Sequence, residues 1–317
     1  MNNHPTGTDN LKNLWHQSCT RLIKGLGRRW AGLERRSIEL EQGRKYAYYD
    51  NNRQGKDVVL LIHGFNADKD HWIPLASRLK QYHIIAPDLC GHGDSWYEES
   101  YTHDIPFYVN ELKKFVDALG VQRFHMVGNS MGGWITSLFC VAYPEDVRSV
   151  VLLNSVGVKP PVVSPFFKAL SEGKNPFFFS NQAEFDQLLK ISVADVSAIP
   201  KSIKQVSYQE GLERMDRARK LFADIMDEDE RLTHPDQMVD SVLANIMQPA
   251  LIVWGDKDGI MDSSMADVFQ RGIPNSQAVI MSNVGHVPML ECPKEAGRYI
   301  KGFLGSQVPL SVSLAAQ

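Results

Sequence analysis

Cysteine is scarce and scattered in this chain. Cys19, Cys90, Cys140 and Cys292 stand far apart and form no C-x-x-C pair. That excludes a disulfide framework, a thioredoxin-like motif and a cysteine-based zinc site. Cys90 and Cys140 lie beside apolar runs and read as buried free thiols. Long hydrophobic runs are absent too, and none approaches the roughly 18 residues of a membrane span. An excess of positive charge is also missing. Lysine and arginine number 34 against 37 acidic residues, a formal net charge of −3, so no nucleic-acid partner is expected. There is no H-E-x-x-H and no phosphate-type glycine loop, so neither a metal nor an organic cofactor is expected. G-H-G-D at 91–94 lacks the third glycine that opens a dinucleotide-binding helix, and reads as a turn after a strand. The first ten residues show no charged-then-apolar signal design, which places the expected compartment in the cytoplasm. Nothing in the sequence indicates an oligomeric state.

What is present describes a globular chain. Its 317 residues are 43% hydrophobic and 22% charged, enough for a sizeable core. Residues 11–33 place Leu11, Leu14, Trp15, Leu22, Leu26 and Leu33 at helical spacing, with Lys12, Arg21, Lys24, Arg28 and Arg29 among them. This basic amphipathic pattern suits either peripheral contact with an anionic membrane or docking on the protein's own body. Gly25 and Gly27 weaken the helix. SIELE and GRKYAYYD then read as an antiparallel hairpin. VVLLI (58–62), YHIIAPD (82–88), RFHMVG (123–128), SVVLLNS (149–155), ALIVWGD (250–256) and SQAVIM (276–281) read as strands. Helical stretches near 106–119, 131–142 and 292–304 accompany them. Apolar strands alternating with helices predict an α/β fold with a mostly parallel sheet covered on both faces. Residues 159–248 break the alternation and read as helical. The expected division is a segment at 1–36, a core of 37–158 with 249–305, a helical cap at 159–248, and a loosely held tail at 306–317.

VGNSMGG (127–133) sits where a strand meets a helix. A serine hydroxyl must be lifted clear of the sheet to meet a substrate, and a tight strand-to-helix turn does this at the expense of backbone strain. Strand and helix then pass so closely that side chains at −2 and +2 would collide, and Gly128 and Gly132 remove them. G-N-S-M-G therefore reads as a nucleophile elbow around Ser130. Such a serine needs a base, and the base needs an orienting acid. His286 alone among ten histidines follows the last strand. Asp256 and Asp258 both follow ALIVWG. His63 reads as shaping its loop, His71, His103 and His234 as loop or surface residues, and His125 as a strand residue.

LIHGFNADKDHW (61–72), PDLCGHGDS (87–95), GNSMGG, IVWGDKD (252–258) and GHVPMLECP (285–293) together resemble the α/β-hydrolase superfamily. Within it the chain looks like the monoacylglycerol lipase-like and bacterial lipase group. The likeness runs from about residue 30 to 305. It implies Ser130 as nucleophile, His286 as base and then acid, and Asp258, the last residue of W-G-x-x-D, as orienting carboxylate. It implies an oxyanion hole from the Phe65 and Met131 N–H groups. Phenylalanines in the insertion, with Phe166, Phe167 and Phe178 as the pocket candidates, would line an acyl site. The implied activity is serine ester hydrolysis of a small lipid ester, a monoacylglycerol or a medium- to long-chain acyl ester, without a cofactor. The same motifs fit a carbon–carbon bond hydrolase of the meta-cleavage type, or a non-catalytic ligand-binding homologue. Epoxide hydrolases and haloalkane dehalogenases use an aspartate at the elbow, so Ser130 argues against both.

Overall fold

The computed structural model describes residues 7–226 and 239–306. His234, the acidic run from 227 and the tail past 306 lie outside the described residues. Eight strands form one sheet in the order β1-β2-β4-β3-β5-β6-β7-β8. β1 (Glu34–Glu39) and β2 (Lys45–Asp50) are the antiparallel hairpin, in register from Glu34 opposite Asp50. β2 meets β4 (His83–Pro87) antiparallel, and every later pairing is parallel. β3 (Val58–Ile62), β5 (Phe124–Asn129), β6 (Val147–Leu153) and β7 (Ala250–Gly255) run through the middle. Alternate residues of these strands feed two different layers. Leu60 and Ile62 pack with Phe115, Phe139 and Trp254, while Val59 and Leu61 pack with Trp72, Met289 and Phe303. Both faces are covered, which is why these strands are apolar at nearly every position. β8 (Ser276–Met281) is an edge strand and stays half exposed.

Helices α3 (Ile105–Ala118) and α4 (Met131–Ala142) pack against each other on one face. Asp104 caps α3 by accepting from the Phe107 N–H at 2.7 Å, and Pro106 occupies its first turn, where a missing N–H costs nothing. α9 (Ser264–Gly272) and α10 (Pro293–Ser306) complete the covering layers. Between β6 and β7 the chain forms α5 (Pro165–Ser171), α6 (Gln182–Ser192), α7 (Lys201–Glu213) and α8 (Met215–Ile225). Phe179, Phe185 and Met215 form a small core inside these helices.

A long first helix, α1 (Gly7–Ala31), lies along α7 and the short α2 (Ile73–Ala76). Its Trp15, Leu22, Ile23, Leu26 and Trp30 face outward, each between 44 and 62% exposed. So these five side chains do not dock on the body, whereas Leu33, the last residue of the spacing, is buried in the core and Gly27 lies against Ile73. No helix among the described residues is long and apolar enough to cross a membrane. His103 departs from the sequence expectation. It is fully buried, its ring stacks on Tyr97, and its backbone N–H donates to Asp224 of α8 at 3.0 Å. A helix 121 positions later in the chain covers that loop, and no local pattern announces such cover.

Candidate active site

Ser130 stands alone between β5 and α4. Its backbone holds φ 56° and ψ −122°, a region that costs a non-glycine residue of order 1–3 kcal/mol. Surrounding hydrogen bonds hold it there. The Ser130 N–H donates to Leu153 O at 3.1 Å, and its carbonyl accepts from Gly133 at 2.9 Å and Val156 at 3.2 Å. The preceding Asn129 is buried and reaches sideways. Its side-chain amide donates to Leu153 O at 3.0 Å and to His286 O at 3.1 Å. The elbow and the histidine loop are thus fixed to each other.

His286 and Asp258 come together across 28 positions. The Nδ1 of His286 lies 2.8 Å from Asp258 Oδ2. An aspartate oxygen accepts only, so Nδ1 carries the proton and Nε2 is the bare nitrogen. The carboxylate is fully subscribed. Oδ1 accepts from the Ile260 and Met261 N–H groups at 2.8 and 2.9 Å, and Oδ2 also accepts from the Asn154 amide at 2.7 Å. The competing Asp256 is exposed and takes the Asn283 N–H at 2.6 Å instead. Ser130, Asp258 and His286 are each 6–7% exposed.

The turn after β3 passes against the serine. A Cβ on Gly64 would sit 3.0 Å from the Ser130 Cβ. Beside it, Phe65 follows Gly64, and Met131 opens α4. Neither N–H donates to another described residue, as expected for a helix first turn and an open loop. His63 shapes this turn. Its Nε2 accepts from the Leu89 N–H at 3.0 Å and its Nδ1 donates to Gly64 O at 2.8 Å. Burial pushes its pKa down to about 3, so the ring is neutral and keeps that tautomer. Further along the same loop, buried Lys69 bonds Asp88 at 2.5 Å and Asp94 at 2.7 Å. Burial raises the Asp88 carboxyl to about 6 despite Lys69 beside it.

Aromatic rings close over Phe65. Phe177 lies 5.3 Å and Phe222 5.5 Å from it, centroid to centroid. Phe166 is buried 4.6 Å from Phe177, and Phe167 packs on Phe166. Phe178 packs on Phe222 beneath the Arg219 guanidinium. Of the three phenylalanines singled out from sequence, Phe166 stands next to the ring that touches Phe65, Phe167 one ring further away, and Phe178 against Phe222. Phe177 and Phe222 make the direct contact.

Sequence reasoning also missed the stitches between the cap and the site. The His286 N–H donates to Ser192 O at 2.7 Å, and the Gly259 N–H to Ile191 O at 2.9 Å. Both carbonyls belong to the last turn of α6. Glu291 accepts from the Gly285, Val287 and Ala194 N–H groups at 2.8–3.3 Å, binding the histidine loop to the second residue past α6. The only sequence hint was a glutamate inside the GHVPMLECP motif. Among the described residues no three His, Cys, Asp or Glu side chains are grouped to hold a metal ion.

A family profile described as the alpha/beta hydrolase fold matches residues 57–293. Lipase 1 of Psychrobacter immobilis is 30% identical over 300 residues, covering 94% of this chain and 92% of that protein. Monoacylglycerol lipase ABHD6 of Mus musculus is 29% identical over 304 residues, covering 92% and 89%. The crystal structure of a membrane phospholipase A, described as a bacterial virulence factor, is similar at a TM-score of 0.85. It shares 29% identity and covers 95% of this chain and 94% of its own.

Proposed function

The chain belongs to the α/β-hydrolase family, and from that premise we propose that it is a serine carboxylic-ester hydrolase acting on lipid-derived esters, monoacylglycerols or medium- to long-chain acyl esters. The observation that carries this is the 2.8 Å bond from His286 to a fully bonded Asp258, tied through Asn129 to a strained serine elbow. Relatives named lipase and monoacylglycerol lipase support the substrate class.

In this reading His286 Nε2 takes the Ser130 proton as Oγ bonds to the ester carbonyl carbon. The Phe65 and Met131 N–H groups hold the oxyanion, and α4 adds the positive end of its dipole. The carbon–oxygen bond to the alcohol breaks, and the alcohol leaves with the proton from His286. Water then gives a proton to His286 as it bonds to the acyl carbon, the carbon–oxygen bond to Ser130 breaks, Oγ takes that proton back from His286, and the acid is released. Phe65, Phe177, Phe166 and Phe222 form the apolar wall for the acyl chain, with the 159–248 segment as cap. Rates on p-nitrophenyl esters of graded acyl length, with monoacylglycerol alongside, test this. The rate should peak at medium or long chains and vanish in Ser130→Ala. A folded protein that turns over no ester would overturn it and favour the carbon–carbon hydrolase.

The outer face of α1 supports peripheral membrane contact. Leu22 and Leu26, 62 and 60% exposed, share the helix with the exposed Arg29. Burying a leucine is worth about 1.5–3 kcal/mol. Leu22→Glu with Leu26→Glu should therefore weaken co-sedimentation with anionic vesicles by about tenfold or more, with soluble-ester hydrolysis kept. Equal sedimentation of both forms would remove the idea.

A further inference from the structure

A cavity of about 500 Å³ lies between the inner face of α1, helix α7, and the loops at 68–70 and 93–94. Its volume falls within the range of small-molecule sites. Ser130, Asp258 and His286 do not line it, so it is separate from the proposed ester site. We propose that it is a second ligand site, for a phosphate group carried by a small soluble ester or by a lipid head group.

Two features point to a polar occupant. Thr20 is 3% exposed and lines the cavity, yet its hydroxyl has no hydrogen-bond partner. The Nδ1 of His16, one turn earlier on the same wall, is buried and equally unpartnered. A buried polar atom left without a partner is unfavourable, and a bound acceptor or donor would satisfy it.

The charge pattern decides the sign of the ligand. Most charges around the cavity are matched within the protein. Lys24 pairs with Asp70 at 2.9 Å, Lys69 with Asp94 at 2.7 Å, and Arg214 with Asp68 at 3.8 Å and Glu210 at 3.6 Å. Arg35 leans on the neutral Tyr49 phenol. Arg21 and Arg28 also line the cavity, and neither has an acidic partner among the described residues. Exposed Glu213 at the rim is the acid left over. Two unmatched guanidiniums beside a free hydroxyl suit an oxyanion, and the planar guanidinium fork matches phosphate in particular.

Titration calorimetry on the full chain tests this with glycerol 3-phosphate and with inorganic phosphate. Saturable one-to-one binding is expected, at least tenfold weaker in Arg28→Gln and in Thr20→Val. Thr20→Ser keeps the hydroxyl and should bind like the parent, which separates a lost hydrogen bond from a damaged fold. Binding of a soluble phosphate ester with that pattern identifies a free ligand. Binding seen only with phosphatidylglycerol vesicles, and weakened in the same variants, identifies a head group. The proposal is overturned if neither probe binds, or if Arg28→Gln and Thr20→Val bind as tightly as the parent. Hydrolysis of a short soluble ester should persist in all three variants, so failure of this site is distinguishable from failure of the ester-hydrolase reading.

Discussion

Asp258→Asn should lower kcat on a short soluble ester by about 10⁴-fold, the order seen when a triad aspartate is made neutral. The hydrogen bonds around Asp258 say why. The carboxylate accepts four donors, two backbone N–H groups on Oδ1 and the His286 and Asn154 side chains on Oδ2. An asparagine has one accepting oxygen. If it keeps Ile260 and Met261, its NH₂ faces His286 and the Asn154 NH₂. The imidazole must then move its proton to Nε2, where it cannot take one from Ser130. If the amide turns over, the histidine keeps its tautomer but loses the charge that stabilises the imidazolium, and two backbone N–H groups meet a donor. Either arrangement disables the base. Asp256→Asn is the contrast. Asp256 is exposed and its one backbone partner, the Asn283 N–H, donates to an amide oxygen equally well, so the rate should stay within a few-fold of the parent. Steady-state kinetics on both variants decide the matter. A larger loss in Asp256→Asn, or a small one in Asp258→Asn, would reassign the acid.

The parts of this site that were legible in the sequence are those written as contiguous chemistry. GNSMGG gave the elbow and the start of α4 at Met131, because glycine at −2 and +2 is a local steric demand. The apolar runs gave the strands, because burial on both faces removes polar alternation. Spacing along residues 11–33 gave a helix with one apolar stripe, but not that Trp15, Leu22 and Leu26 would face outward while Leu33 is buried. What was illegible comes from contacts between distant residues that carry no periodic signal. Asn154, at the end of a neighbouring strand, donates to Asp258 from 104 positions away. Glu291 bonds Ala194, just past α6, from 97 positions away. Phenylalanines marked the 159–248 segment as apolar, but their facing depends on how its helices pack. Thus Phe179 entered the cap's own core while Phe177 reached Phe65.

Gly132→Ala should damage both stability and activity. A Cβ there would stand 2.2 Å from Ile62 O and 2.6 Å from His63 O. Both are main-chain atoms at the end of a central strand, so no side chain can swing aside. The sequence-level picture had Gly128 and Gly132 avoiding each other, and a Cβ on Gly128 does meet Gly132 O at 2.3 Å. The structure adds that Gly132 is also pressed against β3. Relief must come from moving α4 or the β3 end, and the latter carries the His63–Gly64–Phe65 turn. Overpacking costs typically 1–3 kcal/mol, occasionally more, and a loss of about 3 kcal/mol lowers Tm by roughly 5 °C in a chain of this size. Residual activity should fall further than stability, because the displaced turn supplies one proposed oxyanion donor and such donors are worth about 2.7–4 kcal/mol. Gly302→Ala in α10, where a Cβ would meet nothing within 4 Å, calibrates the result. It should leave activity alone and raise Tm slightly through helix propensity. Similar melting points for the two alanine variants would mean that α4 and β3 have more room than their backbone distances allow.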